Sequence, residues 1–140
     1  ATKQSLSEFL RLTKENAQHH QAHYKASVLQ WQLGDASAAK KHIESALAIQ
    51  NDDPHYHFQQ GVLLNQENDH AAANRAFEHC IKIDPNILEA HHNVAANYLS
   101  MQQPHRALPH YMFLLQKVHD PEVYFNIGVI YTQQDKQYIC

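Results

Sequence analysis

Alanine stands at Ala39, Ala73 and Ala107, at one constant step along the chain. A bulky residue follows each of them four positions later (Ile43, Phe77 and Tyr111), and three further on come Ala46, Cys80 and Leu114. Upstream, the small residues Ser27, Gly61 and Ala95 keep the same step, and Gly128 comes one position short of it. A fixed period of about 34 residues marks a chain of stacked supersecondary units, each too small to bury its apolar face alone. The spacing i, i+4, i+7 places Ala39, Ile43 and Ala46 on one face of a helix. The small residues at 27, 61 and 95 let a second helix approach closely.

Punctuation falls between the periodic segments. Gly34-Asp35 offers a left-handed residue to end one helix and a side-chain acceptor to begin the next, and Asn68-Asp69 repeats the device. Asp53-Pro54 and Asp120-Pro121 put an acceptor at the N-cap and proline in the first turn, and Pro104 starts a helix in the same way. The pattern predicts helices near 20–33, 37–49, 54–67, 70–83, 88–101, 104–117 and 121–134. Ser5, Phe9 and Leu12 stand in the register of Ala39, Ile43 and Ala46 one period earlier, so residues 4–16 read as the second helix of a preceding unit or a cap that imitates one.

The clearest copy runs His57-x-x-Gln60-Gly61-x-x-Leu64, then Ala73-x-x-x-Phe77, then Cys80 and Asp84-Pro85. It resembles the tetratricopeptide repeat, with the pattern W-x₂-L-G-x₂-Y…A-x₃-F…P, over about residues 20–134. Histidine stands for tryptophan, Gln60 for leucine and Leu64 for tyrosine, and the copy beginning near residue 20 is the most degenerate, with Ala26 and Gln30 at the larger apolar positions. The resemblance implies an all-α fold, a right-handed α-solenoid of antiparallel helix pairs. It divides a single domain, 1–140, into a half repeat at 4–16, repeats at 20–53, 54–87 and 88–120, and a partial repeat at 121–140. The ending in mid-repeat reads either as a fragment of a longer array or with Tyr138-Ile139-Cys140 as the start of a further helix, and the uncapped last helix as a candidate for self-association.

The same resemblance implies a protein-interaction scaffold binding a peptide or partner protein in a concave groove built from the first helix of each repeat. The groove positions are Tyr24, Val28 and Trp31, then Phe58, Gln59, Val62 and Asn65, then His92, Asn93 and Ala96, then Phe125, Asn126 and Val129. They contain one ladder of planar rings (Tyr24, Phe58, His92, Phe125), one of small apolar side chains, and flanking amides that suit a peptide backbone. A well-known subgroup resembles a carboxylate clamp of Lys and Asn. Here those positions hold Tyr24 and Val28 or Phe58 and Val62, and the later cation positions hold Glu89 and Glu122, which argues against that clamp.

Composition narrows the rest. The 11 Lys and Arg are scattered and the net charge is −3, which does not make the dense cationic stripe that nucleic acid requires. No run of roughly 18 apolar residues suggests a membrane span. Two cysteines without CxxC suggest no disulfide framework and, with no visible signal peptide, favour a cytoplasmic site, with a periplasmic lipoprotein lacking its signal as the alternative; the Gln, Asn and His content fits a bacterial protein. His19, His20 and His23 include an i, i+4 pair, but no HExxH is present, so no metal site is expected. His23, His57 and His91 share the repeat position of the family's tryptophan and read as half-buried spacers, and Cys80 as a packed, inert thiol. No GxSxG, P-loop or glycine-rich phosphate cradle is present, so no cofactor or catalytic residue is expected. The competing reading is a non-catalytic arm of a larger enzyme such as a transferase.

Overall fold

A computed structural model describes residues 2–139, with side chains over 2–135. Its helices are α1 (Thr2–Glu15), α2 (His20–Gln32), α3 (Ala36–Ile49), α4 (Pro54–Gln66), α5 (His70–Ile83), α6 (Leu88–Ser100), α7 (Pro104–Lys117) and α8 (Pro121–Ile139). The helices expected from the period fall within two residues of these bounds, except at the end. There α8 continues through 135–139 with no break, because nothing between Thr132 and Ile139 is glycine or proline. Tyr138 and Ile139 extend α8 rather than beginning a new helix, and Cys140 lies outside the described residues.

The caps fall where the sequence places them. Asp35 accepts from the Ala38 N–H at 3.1 Å, Asp69 from Ala72 at 3.1 Å, and Asp53 from His55 at 2.9 Å. Each satisfies a donor that the first turn of a helix leaves without an intrahelical partner. Gly34 (φ 89°) and Asn68 (φ 62°) close their helices in the left-handed region, as expected. The third member of that series is Gln102 at φ 59°, which the sequence reading missed. The N–H of the residue after each returns to a carbonyl five residues back: Asp35 to Gln30, Asp69 to Leu64, and Gln103 to Tyr98, at 2.8–3.1 Å. The closing bonds impose the conformation on glutamine, against its own preference.

The chain forms two compact units, one ending at Pro85 and the other beginning at Asn86. In the first, α2 pairs with α3 and α4 with α5, while α1 packs on α2 and α3 on α4. Ala39, Ile43, Ala46, Tyr56 and Leu63 form its core cluster, with Tyr24 and Leu47 against it. Ala73, Phe77 and Cys80 are fully buried in the same register on α5. In the second, α6 pairs with α7 and α7 packs on α8, around Ala95, Ala107, Tyr111, Leu114, Val123, Ile127 and Ile130. Pro109 lies inside α7, which holds because Ala107, Tyr111 and Leu114 anchor one face in that cluster.

Candidate ligand-binding faces

In the first unit the expected positions separate into presented and committed side chains. Tyr24 is half-buried and stacks on Tyr56, with ring centroids 4.8 Å apart. Phe58 meets Phe77 edge-on at 5.4 Å. Each ring is therefore fixed on one side and open on the other, as are Val28 and Val62. Trp31 is exposed, and its Nε1 donates to Gln66 Oε1 at 2.8 Å, joining the last turns of α2 and α4. Asn65 Oδ1 lies 3.3 Å from His70 Nδ1. Gln59 faces inward: it is buried, its Nε2 donates to Ser27 Oγ at 3.2 Å, and Ser27 Oγ donates to the Ala39 carbonyl at 2.7 Å. That relay ties α4, α2 and α3 together and spends the amide on packing.

The second unit holds an open hollow of about 540 Å³. Glu89, His92, Asn93, Ala96 and Leu99 line it from α6, Tyr111 from α7, Asp120 from just before α8, and Glu122 and Asn126 from α8. Asn126 Nδ2 donates to Tyr111 Oη at 3.3 Å, and His92 Nε2 stands 3.6 Å from Asp120 Oδ2. Burial, with Glu122 adding to it, pushes the Tyr111 hydroxyl above its ordinary pKa, so the phenol stays protonated and can donate. Three carboxylates and the amides of Asn93 and Asn126 thus surround a half-open space. The hollow gathers His92, Asn93, Ala96 and Asn126 from the expected set; Phe125 and Val129 are not part of it and lie exposed on α8.

The three histidines expected as half-buried spacers are buried, and each has an aromatic partner the sequence reading did not assign. His23 Nδ1 lies 2.9 Å from His42 Nδ1, and His91 Nδ1 lies 3.1 Å from His110 Nδ1. His57 stacks on His79 at 4.0 Å, and His91 on Phe113 at 4.2 Å. The partners come from the second helix of each pair, so the equal sequence separations of His23 from His42 and of His91 from His110 were the signal available. His23 Nε2 donates to the Ala17 carbonyl at 3.0 Å and His57 Nε2 to the Asn51 carbonyl at 2.7 Å. Each fastens the loop that precedes its own helix. With Nε2 carrying the proton, neutral His23 accepts at Nδ1 and His42 donates. Burial first, then the neighbouring His23, holds His42 below the ordinary imidazole pKa; burial, His57 and Lys82 act on His79 in the same direction. Among the described residues no group of three or more His, Cys, Asp or Glu side chains could hold a metal. Burial pushes the Cys80 thiol up to about 11, with Asp84 and Asp53 adding, so it stays a packed, unreactive group.

The tetratricopeptide repeat family model matches residues 20–53 and 54–87. Those two segments are tetratricopeptide repeats. The same fold appears in the crystal structure of MamA, with a TM-score of 0.86 over 93% of this chain and 77% of that chain, at 15% identity. YrrB, "a TPR protein with an unusual peptide-binding site", superposes with a TM-score of 0.82 over 90% of this chain and 66% of its own, at 16% identity. MamA from residue 41 onward, from Desulfovibrio magneticus RS-1, gives 0.74 over 82% and 65%, at 14% identity. Identities this low speak for the fold alone, and the tetratricopeptide-repeat chain spans about two thirds of the length of the last two. No curated protein matches it in sequence. No helix among the described residues is long and apolar enough to cross a membrane.

Proposed function

We propose that this tetratricopeptide-repeat chain is a protein-binding scaffold whose first helices hold an extended peptide. The observation that carries the reading is the hollow of the second unit, where Asn93, Asn126 and Tyr111 offer hydrogen bonds beside the apolar Ala96 and Leu99. Its volume of about 540 Å³ admits one or two side chains. Glu89, Asp120 and Glu122 give it negative potential, which favours a lysine or arginine of the ligand over an acidic residue. The first unit, taken by itself, offers an apolar face in the partly covered Tyr24, Phe58, Val28 and Val62 with exposed Trp31. YrrB supports the reading as a protein of the same fold with a peptide-binding site.

Selection of a random peptide library on the purified chain tests it, with affinities read by fluorescence anisotropy. Selected peptides should carry Lys or Arg next to apolar residues. Asn93→Ala and Glu89→Lys should each weaken them by about tenfold, the value of one hydrogen bond to a charged or well-placed group. Peptides that bind both variants as tightly as the parent chain would remove the hollow from the binding site.

A further inference from the structure

The ring ladder contains one member that can change its charge. At the repeat position of Tyr24, Phe58 and Phe125, α6 carries His92, and His92 lines the hollow of the second unit. Imidazole is the side chain that gains or loses its charge between about pH 5 and 8. Its Nε2 stands 3.6 Å from Asp120 Oδ2, with the two side chains 32% and 34% exposed. Asp120 is held in place from the other side: its Oδ1 accepts the Glu122 N–H at 3.0 Å, in the first turn of α8. One oxygen of the carboxylate therefore fastens the helix and the other faces the imidazole. The gap of 3.6 Å exceeds the about 2.7–2.9 Å of a charge-assisted hydrogen bond, so a neutral imidazole leaves Oδ2 open to a ligand. A proton on the ring turns the same contact into an ion pair and draws it shut.

Within this unit the other charged or titratable groups around the hollow are Glu89 from α6, Tyr111 from α7 and Glu122 from α8. Tyr111 is 1% exposed and stays a neutral phenol. It accepts from Asn126, and its own proton has no acceptor among the described residues. His91 turns instead to His110 and Phe113, and His119 to the Tyr124 hydroxyl at 3.4 Å; neither lines the hollow. A buried donor beside open carboxylates calls for a ligand that brings a carbonyl oxygen and a cation together, as a lysine or arginine within a peptide does.

We propose that His92 and Asp120 form a proton-operated gate on a receptor for the basic side chain of a peptide, open while the imidazole is neutral and closed when it is protonated. The inference rests on the reading of this hollow as a peptide site and adds its regulation. With the gate open, three carboxylates face the ligand and no cation opposes it. With the gate closed, Asp120 is engaged and the imidazolium repels a lysine or arginine. Affinity for a basic peptide therefore falls as pH drops, whereas an uncharged peptide is indifferent. For a pair one third exposed, the fall should be about three- to tenfold.

Two peptides test the proposal at low ionic strength, where such contacts are least screened: acetyl-Leu-Ala-Arg-Ala-Leu-amide, and the same peptide with uncharged citrulline for arginine. Nuclear magnetic resonance shifts of the Asn93 and Asn126 side-chain amides read the affinity at about pH 7.5 and 5.5, on either side of the imidazole range. The arginine peptide should bind about three- to tenfold more weakly at the lower pH, and the citrulline peptide equally at both. With His92→Gln, the arginine peptide should bind equally at the two pH values. With His119→Gln, the fall should persist. Equal affinity of the arginine peptide for the parent chain at both pH values would overturn the gate and leave the peptide site standing. A fall shared by the citrulline peptide, or one that survives His92→Gln, would do the same. Amides that respond to neither peptide at either pH would overturn the site and the gate together.

Discussion

Gly61 and Gly128 occupy the same repeat position on helices of the same kind, so alanine at each asks one question in two environments. Removing a glycine from a helix interior gains about 0.8–1 kcal/mol, because alanine loses less backbone freedom on folding. At Gly128 nothing opposes that gain, since the new methyl meets no atom within 4 Å. At Gly61 the methyl would lie 2.6, 2.8 and 2.8 Å from three carbons of the Phe77 ring. That ring is fully buried and has Phe58 edge-on beside it, so it cannot swing aside. Overpacking of this kind costs about 1–3 kcal/mol, and contacts this short belong to the upper half of the range. Gly61→Ala should therefore lose about 1–2 kcal/mol net, and Gly128→Ala should gain about 0.5–1 kcal/mol, by the difference of the two effects. Urea unfolding followed by circular dichroism reads both as shifts of the midpoint. Equal shifts of the same sign would refute the argument that the partner ring, rather than helix propensity, decides the outcome.

Gln30 is buried, and its Oε1 has no hydrogen-bond partner among the described residues. Gln30→Leu, the residue that Leu64 supplies one repeat later, should stabilise the chain by about 1–2 kcal/mol by removing that acceptor; a lower urea midpoint would contradict it. Gln102 sits at φ 59°, so Gln102→Gly should raise the melting temperature by a margin worth about 0.5–1 kcal/mol, the left-handed strain less glycine's extra freedom when unfolded. Acid should destabilise the fold. The folded pKa values of His42 and His79 lie below the ordinary value of 6.5, so their contribution is complete above that value and falls as pH drops from it toward the folded ones. A melting temperature unchanged between about pH 7.5 and 5.5, on either side of the ordinary imidazole pKa, would count against this, and His42→Asn should flatten whatever slope is found.

Most of the fold was legible because its signals are local. A near-constant repeat period, four aspartate caps and two left-handed closures fix the helices within two residues, except at the end of α8. Gln102 escaped because glutamine has no preference for the conformation that its closing bonds impose; only its place one full period after Asn68 pointed to it. The candidate faces were legible in part, for a different reason. A position on the edge of a helix turns toward a hollow or toward a neighbour according to a small rotation that the period does not encode. Gln59 turned toward Ser27, while Asn93, one period later, turned to the hollow. Glu89, Asp120 and Glu122 acquire meaning only when α6 and α8 bring them together around that space.

The histidines explain how a repeat dispenses with the tryptophan its pattern calls for. A tryptophan fixes a helix pair by volume, which is insensitive to small slips. An imidazole buries less apolar area but makes two directed contacts, one to a loop carbonyl and one to a ring on the second helix. His57 donates to the Asn51 carbonyl at 2.7 Å while stacking on His79, and His23 donates to the Ala17 carbonyl while meeting His42. A larger apolar ring at either place would bury more surface and leave that carbonyl without its donor, a loss of about 1–3 kcal/mol that offsets most of the gain. The loops before α2 and α4 are thereby fastened by hydrogen bonds rather than by bulk. At Tyr124, where the described residues supply no ring from a second helix, the hydroxyl lies 3.4 Å from His119 Nδ1 and half of the side chain stays exposed.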